Sequence, residues 1–297
     1  MLHPHLPVAE VTDGFLYHEL LSFLNKSAAG FPVIYPVITY ILLFTQSLTL
    51  NRLINEQRLM YTPNYLVAMA YLLVTSLIPN WNYLSSVLIA NSVMVWAWPR
   101  MVSLYKNPNP KTLLFNIGMG FGIASFFYVP SLLLLVLLVI ALLVFRPFKI
   151  TEWIVALLGI LTPYYFLFVY LFLTDKLNFA TILPEVSFNY PDFKLKWFWA
   201  RTSLLVFPLL VGMYFVQANT NRMLIQVRKS WALMRFYFLI SLFIPLFNST
   251  SAFDYWILSA IPLACFHGAA YFYPRQSIFP GFLHWLTILF IILSFFL

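Results

Sequence analysis

The stretch from Leu113 to Phe145 carries no charged residue over 33 positions, and its length limits what the chain around it can be. As a single α-helix it would extend about 50 Å, against a bilayer hydrocarbon core of about 30 Å. It must bend or turn back. FNIGMGFGIASFFYVPS (115–131) holds Gly118, Gly120, Gly122 and Pro130. Proline disfavours helix at the residue before it and suits the first turn of the helix after it, which places a turn at Tyr128-Val129-Pro130-Ser131.

The rest of the chain repeats this character. Of its 297 residues 62% are hydrophobic and 9% charged, where a soluble domain carries about 25% charged residues. Apolar blocks separated by short polar clusters fall at 31–50, 64–79, 84–104, 113–128, 130–145, 152–174, 199–218, 232–248, 253–272 and 279–297. They predict an all-α polytopic membrane bundle of about ten transmembrane helices, with a short-helix hairpin at 113–145. Ten-residue alternation of the kind an outer-membrane barrel shows is missing. Two parts follow: an N-terminal segment, 1–30, and a single helical bundle, 31–297. The formal charge of +8 comes from basic residues scattered in short loops between spans, as membrane topology requires, and nucleic acid is not an expected partner. Cys265 is the one cysteine, so an intrachain disulfide, CxxC redox chemistry and a cysteine-rich zinc site are excluded.

Basic loops stay in the cytoplasm, and this fixes the parity of the long run. Lys106 and Lys111 precede it and Arg146 and Lys149 follow it, so it crosses an even number of times and forms a hairpin. Extended to every block, the rule gathers Arg52, Arg58, Arg100, Arg222, Arg228, Lys229, Arg235 and Arg275 on the same inner side. Lys26, Lys176, Lys194, Lys196 and Arg201 fall outside, with Glu10, Asp13, Glu19, Asp175, Glu185, Asp192 and Asp254. Both termini then face the extracytoplasmic side. Trp81, Trp197, Trp199 and Trp256 are expected at the outer interface, and Trp96, Trp98, Trp153 and Trp231 at the inner one. An outward N-terminus points to a further helix before this start. Val11 to Phe23 sets Phe15, Leu16, Leu20 and Phe23 near one helical face, the pattern of an interfacial amphipathic helix, with Thr12 or Asp13 as its cap.

The chemistry is sparse. No Asp, Glu, Lys or Arg lies near the middle of a block, which argues against a proton-coupled or ion-coupled carrier. Gly118-Met-Gly120-Phe-Gly122 follows no strand and precedes no Lys-Ser/Thr, so it is a helix-packing face and not a phosphate loop. Gln46, Asn91, Ser92, Asn116 and Ser125 read as hydrogen bonds between helices. His3, His5, His18, His267 and His284 lack metal-site spacing; no metal and no cofactor are expected. Functional groups concentrate on the outer side. A lipid-phosphate-linked donor needs cations for its phosphate, and a transferase needs a carboxylate base beside the acceptor hydroxyl.

The stretch from Phe115 to Leu177 resembles an uncharacterised family of multi-span inner-membrane proteins of Bacteroidota, and 48–81, notably the Asn51 segment and the run from Tyr65, is similar too. That family usually has one more helix at its start. Its members distantly resemble membrane glycosyltransferases of the polyprenyl-phosphate-sugar (GT-C) type, which place a catalytic carboxylate in the first outer loop. The resemblance implies Asp13 or Glu10 as base, within Glu10 to Phe23. For the donor phosphate, the outer-face residues Arg201, Lys194 and Lys196 are the candidates, with Asp175 beside them.

The leading expectation is therefore an inner-membrane protein of the cell envelope that transfers a sugar from a lipid-linked donor at the periplasmic face, with membrane lipids as partners. One alternative is a non-enzymatic membrane subunit of an envelope assembly or secretion complex, touching membrane-protein partners through Gly118 to Gly122 and the basic loop from Arg222 to Arg235. A lipid or solute transporter is the other.

Overall fold

The computed structural model describes residues 6–10, 12–27, 31–175, 197–248, 253–274 and 278–296. Among them the chain is helical throughout and forms no β-strand. The helices are α1 (Phe15–Ser27), α2 (Ile34–Glu56), α3 (Leu66–Leu77), α4 (Ser86–Val102), α5 (Lys111–Phe127), α6 (Leu135–Phe145), α7 (Ile150–Leu173), α8 (Phe198–Asn219), α9 (Ile225–Phe243), α10 (Ala260–Phe272) and α11 (Ile278–Phe296). Short 3₁₀ turns extend several of them, including Pro79–Asn82, Val129–Leu134 and Phe253–Ser259.

Each of the ten apolar blocks becomes helical, but five segments are long and apolar enough to cross a membrane: Ile34–Glu56, Ile150–Leu173, Phe198–Arg222, Ile225–Leu246 and Phe253–Phe272. The expectation of about ten transmembrane helices is met in its all-helical character, with five segments of spanning length among the described residues. α3 is shorter. Its 12 residues rise about 18 Å, and Pro79 then diverts the chain into a 3₁₀ turn.

The long run breaks where proline requires it. α5 ends at Tyr128, which is extended (φ −140°, ψ 105°), the turn Val129–Leu134 follows, and α6 resumes. Arg146, just past the run, donates from Nη1 to the Asn107 carbonyl just before it at 2.6 Å. The two ends meet, so the run doubles back. Its arms do not pair along their length, however: α5 lies along α7, and α6 along α9.

Glycine makes the α5–α7 seam possible. A Cβ on Gly118 would lie 2.4 Å from the Ala156 carbonyl oxygen, one on Gly122 2.9 Å from that of Ile160, and one on Gly159 2.3 Å from that of Phe115. Backbone atoms cannot move aside, so only small residues let the two helices approach this closely. The Ser125 and Tyr164 hydroxyls share a hydrogen bond of 2.6 Å across the same seam. Gly118 and Gly122 are thus occupied from within the chain and are not a free surface for a partner. Gly120 instead faces Trp96 on α4.

α10 is the centre. Every residue from Ala260 to Tyr271 is buried, chiefly against α3 and α8, and a Cβ on Gly212 of α8 would sit 1.9 Å from the Phe266 carbonyl oxygen. Beside it a polar network joins three helices: Tyr71 donates to Gln46, Asn91 Nδ2 to Tyr71 Oη at 3.0 Å, and Gln46 Nε2 to Ser92 Oγ at 2.6 Å. Outward, the apolar faces of α7 (Ile154, Leu157, Leu158, Leu161) and α11 (Phe282, Trp285, Leu289, Ile292) are exposed. Lipid is the solvent that suits continuous apolar surface of this kind.

Contacts between chain turns sort into two ends. At one, Gln226 Nε2 donates to Gln57 Oε1 (3.3 Å), Trp231 Nε1 to the Leu59 carbonyl (3.3 Å) and Lys229 Nζ to the Val144 carbonyl (2.6 Å). At the other, Tyr17 Oη donates to the Leu84 carbonyl (3.3 Å), Trp81 Nε1 to the Phe253 carbonyl (2.9 Å) and Tyr128 Oη to Asn248 Oδ1 (3.1 Å). Successive segments therefore run up and down in alternation. Trp81, Trp98 and Trp231 are buried core residues, which corrects their assignment to interfacial belts; Trp197 and Trp199 are exposed.

Arg146 and Glu152 tie α6 to α7. Arg146 Nη2 donates to Glu152 Oε1 at 2.7 Å and Nε to Oε2 at 3.0 Å, with side chains only 9% and 4% exposed. Removing one partner strands the other charge, so Glu152→Gln is expected to cost about 3–5 kcal/mol in unfolding experiments in detergent. Gly159→Ala, forced against the Phe115 carbonyl, is expected to cost about 1–3 kcal/mol, whereas Gly281→Ala, with open space around it, is expected to leave the unfolding midpoint unchanged.

Candidate functional site

The N-terminal segment is a strap across the break in the long run. Val129 N donates to the Thr12 carbonyl at 3.3 Å and Gly14 N to the Phe127 carbonyl at 2.8 Å, which pairs Asp13 with Tyr128 as an isolated antiparallel bridge. Only glycine fits at position 14, where a Cβ would lie 2.2 Å from the Phe126 carbonyl oxygen. α1 begins directly after it. The amides of Tyr17 and His18 bond to the Gly14 carbonyl at 3.0 and 3.3 Å, so Gly14 opens the helix, in place of the expected Thr12 or Asp13 cap.

Asp13 is engaged elsewhere. One oxygen accepts the Glu10 amide at 2.9 Å and the other accepts the Ser86 hydroxyl, in a site where Asp13 is 6% exposed. Burial pushes its carboxyl up from an ordinary 3.8 to about 6; the Glu10 charge adds to this, while the Glu10 amide, Ser86 and His18 oppose it. A carboxylate poised near neutrality suits a general base, yet both of its oxygens hold the strap in place. Glu10 is half-buried beside it.

α1 docks through Tyr17, Leu21 and Leu24 against Tyr35 and Leu84, with Phe15 and Leu16 on Phe126, Leu167 and Leu171. Of the expected apolar stripe, Phe15, Leu16 and Leu20 pack against the bundle, and Phe23 is 65% exposed. Burial, and after it the charges of Asp13 and the ring of Tyr255 and the Asp254 carboxylate, hold the Tyr17 phenol well above its usual range. Tyr128 stacks on Tyr255 at 5.4 Å.

At the same end lies a cavity of about 220 Å³ whose walls include Trp81, Phe198, Arg201, Phe253, Trp256 and Leu263. The Trp81–Phe253 hydrogen bond and the Phe198–Phe253 ring contact at 5.5 Å fix one side of it. Arg201 is 5% exposed, its Nε has no hydrogen-bond partner, and no Asp or Glu among the described residues lines the cavity. A buried guanidinium without a counter-charge costs several kcal/mol. An anion seated there would offset that cost through charge-assisted, bidentate hydrogen bonds.

The sequence candidates thus separate. Arg201 heads the cavity; Asp13 sits in the strap and does not line it. Asp175 is exposed just past the end of α7 in a left-handed conformation (φ 54°) and does not line it either. Lys194 and Lys196 lie outside the described residues. Ser86 and Phe253 escaped the sequence reading. A serine opening α4 next to the capping Ser85, whose hydroxyl accepts the Leu88 amide at 3.2 Å, reads as helix punctuation, and a phenylalanine in an apolar block carries no distinguishing signal. Among the described residues no three His, Cys, Asp or Glu side chains gather.

Asp13 makes the strap sensitive to pH. Its carboxyl titrates near 6 in the folded chain and near 3.8 when free, so between those values the folded form holds a proton that the unfolded form has released. Stability contributed at this site falls as pH rises through that window, by about 3 kcal/mol in all. Hydrogen exchange at the Gly14 and Val129 amides, corrected for intrinsic rates, is expected to be better protected at pH 4.5 than at pH 7.5. Asp13→Asn should flatten that difference.

No protein-family model, curated protein or solved structure matches the chain.

Proposed function

We propose that the chain is a multi-pass protein of the bacterial inner membrane that binds the phosphate of a lipid-linked sugar at Arg201 and serves sugar transfer at the periplasmic face. In this reading all ten apolar segments traverse the hydrocarbon region, the short ones where the bilayer is thinned, and both termini lie outside. The observation that carries it is Arg201, 5% exposed in an aromatic-walled cavity with its guanidinium Nε lacking a hydrogen-bond partner.

Chemically, the acceptor hydroxyl gives its proton to a carboxylate as its oxygen bonds to the anomeric carbon. The bond from that carbon to the phosphate oxygen breaks, and Arg201 takes up the charge left on the lipid phosphate. Lys194 and Lys196, which precede α8 in the sequence, add cationic contacts. Glu10 or Asp13 is the base once the strap opens; while it is closed both Asp13 oxygens are committed and neither carboxylate lines the cavity. A second reading, a non-enzymatic subunit of an envelope assembly that holds lipid without turnover, is favoured by the lack of a carboxylate among the described residues of the cavity.

Arg201→Gln, in nanodiscs with a fluorescent polyprenyl-phosphate sugar, is expected to weaken binding about tenfold or more, the loss of a charge-assisted hydrogen-bond set. Unchanged binding would overturn the site. Binding by the wild type with no transfer to any hydroxyl acceptor would select the second reading.

A further inference from the structure

The opposite end of the bundle holds a second cleft, of about 330 Å³, to which four chain segments contribute: Arg58 and Tyr61 after α2, Asn219 and Arg222 at the end of α8, Leu224 and Val227 at the start of α9, and Tyr273 after α10. Two arginines from different turns face one space. No acid among the described residues lines it, and the nearest in sequence, Glu56, is already paired with Arg52 at 2.8 Å.

The backbone brings these groups together at a cost. Arg58 is held at φ 53°, the left-handed region that a side chain with a Cβ enters only at an energetic penalty. It closes α2, with Arg58 N on the Asn55 carbonyl (3.0 Å) and Leu59 N on that of Ile54 (3.2 Å). Glycine is the usual residue at such a helix end; here it is an exposed arginine that lines the cleft. Tyr61 builds the wall, its ring 4.5 Å from Phe272 and 5.8 Å from Tyr273. Tyr61 and Leu224 are also exposed, so the cleft has an apolar lip beside its two cations.

The arginines also oppose the negative ends of α2 and α8, a purely structural use of their charge. That use does not account for the lack of any anion in a cleft walled by rings, nor for the lip. We infer that this cleft is a binding site for the phosphate of an anionic phospholipid: the guanidinium groups of Arg58 and Arg222 clasp the phosphodiester, and the acyl chain leaves over Leu224 and Tyr61. Guanidinium geometry matches phosphate bidentately, and basic pockets between transmembrane helices are suited to anionic head groups. The site is independent of Arg201, which lies at the other end of the helices.

The test uses the full chain in mixed nanodiscs of phosphatidylglycerol and phosphatidylcholine, with co-purifying lipid counted by native mass spectrometry. The wild type is expected to retain phosphatidylglycerol preferentially. Arg58→Gln/Arg222→Gln is expected to lower that preference about 30-fold, the effect of two basic side chains at a charged surface, while Arg52→Gln leaves it intact. Equal retention by the double variant and the wild type would overturn the proposal. A wild-type titration needs no variant: soluble glycerol phosphate and inorganic phosphate at millimolar concentration should fail to displace the lipid. Displacement by inorganic phosphate would show a free-phosphate site and overturn the lipid assignment.

Discussion

Doubling the charge-free run back on itself breaks the helical hydrogen-bond ladder in an apolar setting, and the strap's repair of that break is the constraint on which the rest depends. At Tyr128 the α5 ladder stops, leaving the Phe127 carbonyl and the Val129 amide without helical partners. Water could satisfy them in a soluble protein. In hydrocarbon each orphan group costs several kcal/mol. The strap supplies both partners, through Gly14 N and the Thr12 carbonyl, and the absence of a side chain at Gly14 brings its backbone within reach. From that point α5 is free to follow α7 and α6 to follow α9, which sets the two-ended arrangement of all later turns.

The two ends then treat charge differently. At the end that gathers Arg146, Lys149 and Arg222, the one buried acid, Glu152, is matched by two hydrogen bonds from Arg146. At the strap end Arg201 is buried beside aromatic rings, with no acid among the described residues lining its cavity. Since a stranded charge is far more costly than a paired one, the same residue type is held by an ion pair at one end and buried without a described counter-charge at the other. Arg201 is distinguished from the surface arginines by burial without a partner, not by charge.

How much of this could be read in advance follows from which forces act locally. Hydropathy located the ten helical blocks, and charge parity foresaw the reversal within 113–145, which the Arg146–Asn107 contact displays. The polar network of Gln46, Asn91 and Ser92 between helices was also legible. Helix length was not. α3 starts at Leu66 and ends at Leu77, ahead of Pro79, so it holds 12 residues of the apolar block 64–79. Tryptophan placement failed for a related reason: Trp81, Trp98 and Trp231 lie near helix ends, as belt residues do, yet tertiary packing buries them. The strap was invisible because it is made of backbone bonds and a glycine, with contacts more than a hundred residues apart in sequence. For Arg201 the residue was legible as a cation on the outer side, but its isolation depends on which side chains surround it, and only the fold shows that.

The strap and the cavity share a wall. Phe253 lines the cavity and accepts the Trp81 indole hydrogen bond; two residues on, Tyr255 stacks on Tyr128, the residue paired with Asp13. A rigid 3₁₀ turn, Phe253–Ser259, thus holds one aromatic against the Arg201 cavity and another against the strap. Displacing Phe253 to admit a head group would move the Tyr255 ring, and with it the support beneath Tyr128, while the Asp13 carboxyl that fastens the strap loses its proton near pH 6. Binding at Arg201 and closure of the strap therefore draw on the same packing. The carboxylates of Glu10 and Asp13 are separate from the cavity while the strap is closed, and this shared turn is the route by which occupancy of the cavity would reach them.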